Sequence, residues 1–181
     1  MKIISCGNFA DIYANLLKSL VEEPDFVTTP RNLPINEIMN VCIELTNPLS
    51  NLFENKMRSV PKKYLAGELI WYFYGSNELQ FIKKYSSFWA KIANSDHKTV
   101  NSAYGYLLFR EKNIYDITEW EWAFRALIKD KNTRQAIIRF NKSYHSFDDN
   151  KDFVCAMNGL FVIRNNQLHF YSTRHFFEGL A

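Results

Sequence analysis

The chain is poor in cysteine, and its three cysteines suggest no pairing. Cys6, Cys42 and Cys155 are odd in number and include no CxxC, which argues against a disulfide framework and a thiolate metal site and favours a reducing compartment. The four histidines, His97, His145, His169 and His175, show no ligand spacing, so no metal is expected. Long apolar runs are missing too. The N-terminus "MKIISCGNFADIY" turns polar too soon for a signal peptide, and no stretch approaches membrane-spanning length. Charge of one sign is also scarce: the net charge is +3 and the basic residues are scattered, which gives no reason to expect a nucleic acid or a membrane as partner. Without a repeat, a low-complexity tract or a linker, residues 1–181 read as one domain, expected in the cytoplasm.

Aromatic residues are abundant, at 16%, and imply a core or pocket with many rings. Asn8 is placed to cap a helix carrying Phe9, Ile12, Tyr13, Leu16, Leu17 and Leu20 on one stripe. "TTPRNLP" reads as extended because of Pro30 and Pro34, and "EIMNVCIEL" as β-prone. Pro61 opens a helix, "KKYLAGELIWYFYG", that is apolar nearly all round and so belongs inside the protein. A second helix is expected from Glu78 to about Ile92, and Thr118 with Glu121 forms a capping box for a third that runs to Ile128. After the strand "RQAIIRF" and a charged loop comes a hairpin over Asp152 to Thr173, turning at Asn165-Asn166. Helices precede strands, which makes the fold class α+β.

Two side chains stand out chemically. Cys155 lies at the mouth of the hairpin, where a free cysteine either packs as a small hydrophobe or serves as a nucleophile. Glu68 sits among apolar neighbours on its helix; buried acids are rare unless paired or in use, although an exposed helix end or a structural ion pair would also account for it. Arg31, Arg58, Arg134 and Arg174 fall at turns or strand ends, usually a solvated position, but several converging would make a phosphate site.

The segments "TPRN", "AGELIWYFYGSNEL", "FW", "NSAYG", "NTRQAIIRF" and "DFVCAMNGLFVIRNNQLHF" follow one another in an order that resembles thymidylate synthase and the related pyrimidine-nucleotide hydroxymethylases, most of all their bacteriophage branch. The resemblance implies the thymidylate synthase fold, a large twisted mixed β-sheet with helices packed on it. It also implies folate-dependent C5 alkylation of a deoxypyrimidine monophosphate, dUMP or dCMP, with 5,10-methylenetetrahydrofolate as the one-carbon donor. By this resemblance Cys155 matches the nucleophile that adds to C6 of the pyrimidine, Glu68 the carboxylate that organises water and proton transfer, and Tyr104 a tyrosine close to the cysteine. Trp89 matches a tryptophan of the folate site. Arg31, Arg134 and Arg174 match phosphate-binding arginines, Arg134 reaching across a homodimer to the other subunit's site.

The departures are specific. Val154 stands where a proline usually precedes the nucleophile, Gln135 replaces the second arginine of a pair, and Leu160 sits where glutamine is common. Arg174 comes one residue early, which on a strand turns a side chain to the opposite face unless a bulge intervenes. The family continues past the point where "YSTRHFFEGLA" ends, so a chain shortened at its C-terminus is expected, without the groups that read the base and hold the sugar.

Overall fold

The computed structural model describes residues 1–29, 32, 34–52, 61–146 and 151–174. Arg31 and Arg58 lie outside the described residues, as do residues 147–150 of the charged loop. Contacts divide the chain into two compact units, Met1–Val60 and Pro61–Phe177.

The first unit starts with strand β1 (Lys2–Cys6), followed by helix α1 (Phe9–Glu22), the short antiparallel strands β2 (Phe26–Thr28) and β3 (Ile35–Glu37), and β4 (Val41–Leu45). The Asn8 side chain caps α1 by accepting from the Asp11 amide at 2.9 Å, as its position suggested. β1 pairs in parallel with β4, from Lys2 opposite Val41 to Cys6 opposite Leu45. Ile12 and Leu16 of α1 close over Ile4, with Val41, Ile43 and Leu45 beside them. The parallel pairing of β1 was not anticipated, and strands therefore stand at the N-terminal end as well as after the helices.

The second unit carries α2 (Lys62–Tyr74), α3 (Leu79–Ile82), α4 (Phe88–Ile92), α5 (Tyr104–Phe109), α6 (Glu119–Lys129), β5 (Ile137–Arg139), a single 3-10 turn (Ser143–Ser146), β6 (Ala156–Arg164) and β7 (Gln167–Arg174). The helix expected over Glu78–Ile92 is two short ones. The Ser86 hydroxyl accepts from the Phe88 amide at 3.3 Å, a local bond that competes with helix continuation. The capping box is present: Thr118 accepts from the Glu121 amide and Glu121 from the Thr118 amide. Asn165 and Asn166 both adopt positive φ, 52° and 59°, the two left-handed residues that a tight hairpin turn requires.

The large sheet expected from the resemblance is not what forms. The described strands make three small sheets: β1 with β4, β2 with β3, and β5-β6-β7 in antiparallel order. Several strands are only three residues long, and β5 pairs with β6 just from Ile137 to Arg139. Beyond that point the Met157 carbonyl accepts from the amides of both Phe140 and Asn141, and the ladder ends in an irregularity. α2 also departs from expectation. Trp71 is fully buried, but Leu65, Leu69, Ile70 and Phe73 are exposed, so only one side of this all-round apolar helix packs within the unit.

Two apolar clusters fill the second unit. Trp71, Leu79, Ile82, Trp89, Val100 and Ala103 form one. Leu107, Ala123, Ala136, Ile138, Phe140, Val154 and Ala156 form the other. Tyr106 packs against both.

Candidate functional site

Tyr64, Glu68 and Tyr72 follow one another at intervals of four along α2, the spacing that stacks side chains on one helix face. Both hydroxyls donate to the same carboxylate oxygen: Tyr64 to Glu68 Oε1 at 2.8 Å and Tyr72 to Glu68 Oε1 at 3.1 Å. The Glu68 side chain is half-buried, and among the described residues two phenols hold it. Burial first, and then the carboxylate beside them, pushes both phenols well above the ordinary tyrosine range. Trp89 Nε1–H donates to the Tyr64 hydroxyl at 3.2 Å, which extends the chain of bonds to α4.

The Tyr72 ring meets the Tyr104 ring edge-on, with centroids 5.7 Å apart. Gly105 allows this approach, because a side chain there would collide with the backbone of Tyr72. Tyr104 in turn packs edge-on against Phe140, and its hydroxyl lies 3.5 Å from the amide nitrogen of Ala156, next to Cys155. Burial is the main cause raising the Tyr104 phenol, while the bond from the Ala156 amide and the positive charge of Arg174 pull it down.

Cys155 sits immediately before β6 in an extended segment whose burial alternates. Asp152, Val154 and Ala156 are buried, and Phe153, Cys155 and Met157 lie on the more open side. The segment is tied down at both ends. The Asp152 carboxylate accepts from the Ser102 amide at 2.7 Å and from the Ser102 hydroxyl at 2.5 Å, and the Val154 carbonyl accepts from Asn141 Nδ2 at 3.1 Å. The Asn101 side chain adds a bond to the Asp152 carbonyl, so the turn preceding Tyr104 grips the segment carrying Cys155.

Arg174 ends β7 opposite Ala156, while Thr173 lies opposite Asn158; Met157 is the extra residue of a β-bulge. The bulge sets Arg174 across from Ala156, the residue next to Cys155. Arg134 is exposed on the loop before β5 and makes no hydrogen bond or ion pair among the described residues.

Of the residues expected to share a cavity, Trp89, Glu68 and Tyr104 are joined through Tyr64 and Tyr72, and the Tyr104 hydroxyl reaches the Ala156 amide beside Cys155. Trp89 is only 6% exposed, its ring set edge-on to Trp71 at 5.2 Å. Elsewhere, a cavity of about 450 Å³ lies between β1 and α1, and one of about 190 Å³ beside Glu111, Glu119 and Lys142. Sequence reasoning missed Tyr64, Ser102 and Asp152. The first was legible from its spacing to Glu68; the other two pair across fifty residues and leave no local signal.

No group of three or more His, Cys, Asp or Glu side chains among the described residues could hold a metal ion. None of the three cysteines forms a disulfide, and no described helix is long and apolar enough to cross a membrane. The sequence matches no protein-family profile, and no curated protein resembles it significantly. Among solved structures, the thermostable thymidylate synthase A from Bacillus subtilis superposes with a TM-score of 0.55 at 13% identity, over 91% of this chain and 63% of that protein. The chain thus spans less than two thirds of that synthase. At this identity the likeness concerns the fold alone: the chain is a mixed α+β protein with a thymidylate-synthase-like fold.

Proposed function

We propose that the chain is a folate-dependent enzyme that methylates a deoxypyrimidine monophosphate, dUMP, at C5 through a covalent adduct on Cys155. The observation that carries this reading is the set of contacts that runs from the amide of Ala156, the residue after Cys155, through Tyr104 and Tyr72 to Glu68. Such chemistry needs a thiol to add to C6 and make C5 nucleophilic, together with a carboxylate able to manage water and protons nearby. Cys155 on the open side of its segment and a half-buried Glu68 suit those roles. Arg174 lies across from Ala156, and Arg134 is exposed on the loop before β5; a guanidinium at either place suits a phosphate by its charge and its fork of N–H donors. Arg31 would join them by the sequence resemblance.

For the folate, the residues fit in part. Trp89 is too buried to offer an open ring face, but Phe88, packed edge-on against it with centroids 6.4 Å apart, is 54% exposed and presents flat apolar surface. Bound there, 5,10-methylenetetrahydrofolate would supply the one-carbon unit. The same arrangement serves hydroxymethylation of dUMP or dCMP, as in the bacteriophage branch. We read the two compact units as parts of one thymidylate-synthase-like domain, because the structural likeness spans nearly the whole chain.

The chain is further proposed to be a homodimer. Exposed Leu168, Phe170 and Tyr171 on β7 and the bare face of α2 are more apolar surface than a monomer usually shows to water. Light scattering at micromolar concentration should give twice the chain mass; a monodisperse monomer would rule the dimer out.

The enzymatic reading is tested by incubating the protein with 5-fluoro-dUMP and methylenetetrahydrofolate and measuring intact mass. An adduct that maps to Cys155 and disappears in Cys155→Ser supports catalysis. Nucleotide binding by calorimetry without any adduct would assign the chain a binding role instead.

A further inference from the structure

The hydroxyl of Tyr64 touches both Glu68 and Trp89, and its bonding has one direction. An indole N–H can only donate and a carboxylate oxygen accepts, so the single phenolic proton points to Glu68 Oε1 while a lone pair faces Trp89. Tyr72 occupies the same Oε1, and no hydrogen bond among the described residues reaches Oε2. Among the described residues, the carboxylate is thus oriented through one oxygen.

We propose that Tyr64 is a positioning residue that couples ring occupancy beside Trp89 to the orientation of the Glu68 carboxylate. The inference rests on reading Glu68 and Trp89 as site residues. A ligand that displaces the Trp89 ring moves the donor to Tyr64, and the Tyr64 hydroxyl is the group through which that movement reaches Oε1. Tyr72 braces the same oxygen, while the Trp89 indole donates to Tyr64, so Tyr72 sets the carboxylate without linking it to the ring. Because both tyrosines lie one helical turn from Glu68, α2 supplies a rigid frame and the coupling needs no backbone movement.

The test is a double-mutant cycle read on the indole resonances. The chain has four tryptophans, and the Trp89 indole cross-peak in a proton–nitrogen correlation spectrum is assigned by its loss in Trp89→Phe. Glu68→Ala should shift that peak in the wild-type background and leave it unmoved in Tyr64→Phe, while Glu68→Gln, which keeps an accepting oxygen, should restore most of the original position. Tyr72→Phe should affect it little. An equal shift from Glu68→Ala in both backgrounds, or no shift in either, overturns the proposal. Since Tyr64→Phe keeps the ring and Glu68→Gln keeps the shape, the comparison survives even if Glu68→Ala folds poorly.

Binding of folic acid gives the functional arm. Its dissociation constants in wild type, Tyr64→Phe, Glu68→Gln and the double variant should be non-additive by about fivefold or more; additive values count against coupling through Tyr64. If folic acid does not bind at all, the folate reading of the site fails, and the indole cycle still decides whether Tyr64 joins the two side chains.

Discussion

Gly105 and Tyr72 meet backbone to backbone: a Cβ built on Gly105 would stand 1.8 Å from the Tyr72 carbonyl oxygen and 2.4 Å from its carbonyl carbon. Neither atom can swing away, because both belong to α2 near its C-terminal end. This crossing is what sets the Tyr104 ring against Tyr72, and so joins the Cys155 side of the site to the Glu68 side.

Gly105→Ala is therefore expected to destabilise the fold by about 3 kcal/mol, the upper range for forced overpacking. It should also reduce adduct formation at Cys155 in whatever fraction remains folded. Gly67→Ala is the comparison. There the collision at 2.5 Å is with the side-chain ring of Tyr85, which can rotate or shift, so a smaller loss in urea unfolding is expected. Equal stability of the two variants would show that the α2–α5 crossing can relax.

The Asp152–Ser102 pair separates a charge from a shape. Asparagine at 152 can present its oxygen to the Ser102 amide and its amide group to the Ser102 hydroxyl, keeping both bonds. Alanine leaves a buried N–H without a partner. Asp152→Ala should cost about 2 kcal/mol, and Asp152→Asn clearly less. Burial is also the main influence on the Asp152 carboxyl and pushes it up, so the uncharged amide loses no favourable ionisation. Similar losses for the two variants would mean that the negative charge itself is needed there.

Local signals were legible in the sequence and distant ones were not. Asn8, the Thr118–Glu121 box and the Asn165-Asn166 turn each act through bonds spanning a few residues, and all three form. The break of the expected 78–92 helix depends on a serine side chain competing with the backbone, an outcome that apolar periodicity hides. The extent of the sheet depends on pairing between strands far apart in the chain. There, three-residue strands and a bulge at Met157 produced small separate sheets in place of one large one. Within the site, Glu68 was singled out by its apolar neighbours. What the sequence could not show was that its partners are phenols, one of them facing Trp89.

Buried His145 gives the fold a pH dependence of definite sign. Burial is the main cause lowering its pKa; the charge of Lys142 adds to that, and Glu111 opposes it. Between the folded value and the ordinary 6.5, the unfolded chain binds a proton that the folded chain refuses, so stability falls as pH drops below about 6.5. Asp152, raised by burial, contributes in the opposite sense, so the diagnostic is a difference between proteins rather than one slope. His145→Asn can still accept from the Lys142 amide through its Oδ1, as His145 Nδ1 does at 3.1 Å, but it has nothing to titrate. Urea midpoints at pH 7.5 and 5.5 should converge more closely in this variant than in the wild type. The same pH response in both proteins would place the sensitivity elsewhere.

The β-bulge at Met157 gives Arg174 a role that can be measured in two independent ways. Its charge lowers the Tyr104 phenol against the larger upward effect of burial, so Arg174→Gln should move Tyr104 ionisation to still higher pH. That shift is read as tyrosinate absorbance, with Tyr104→Phe as the reference. If the same guanidinium also holds the nucleotide phosphate, its loss removes a charge-assisted bond worth about 1.5–3 kcal/mol. The 5-fluoro-dUMP concentration needed for half-maximal adduct should then rise by roughly tenfold or more. Thermal stability should change little, because Arg174 is exposed at the end of an edge strand. A shifted Tyr104 titration with unchanged nucleotide dependence would leave Arg174 an electrostatic neighbour of the site and remove it from the phosphate contacts. A loss of folding would instead make the arginine part of the strand's structure.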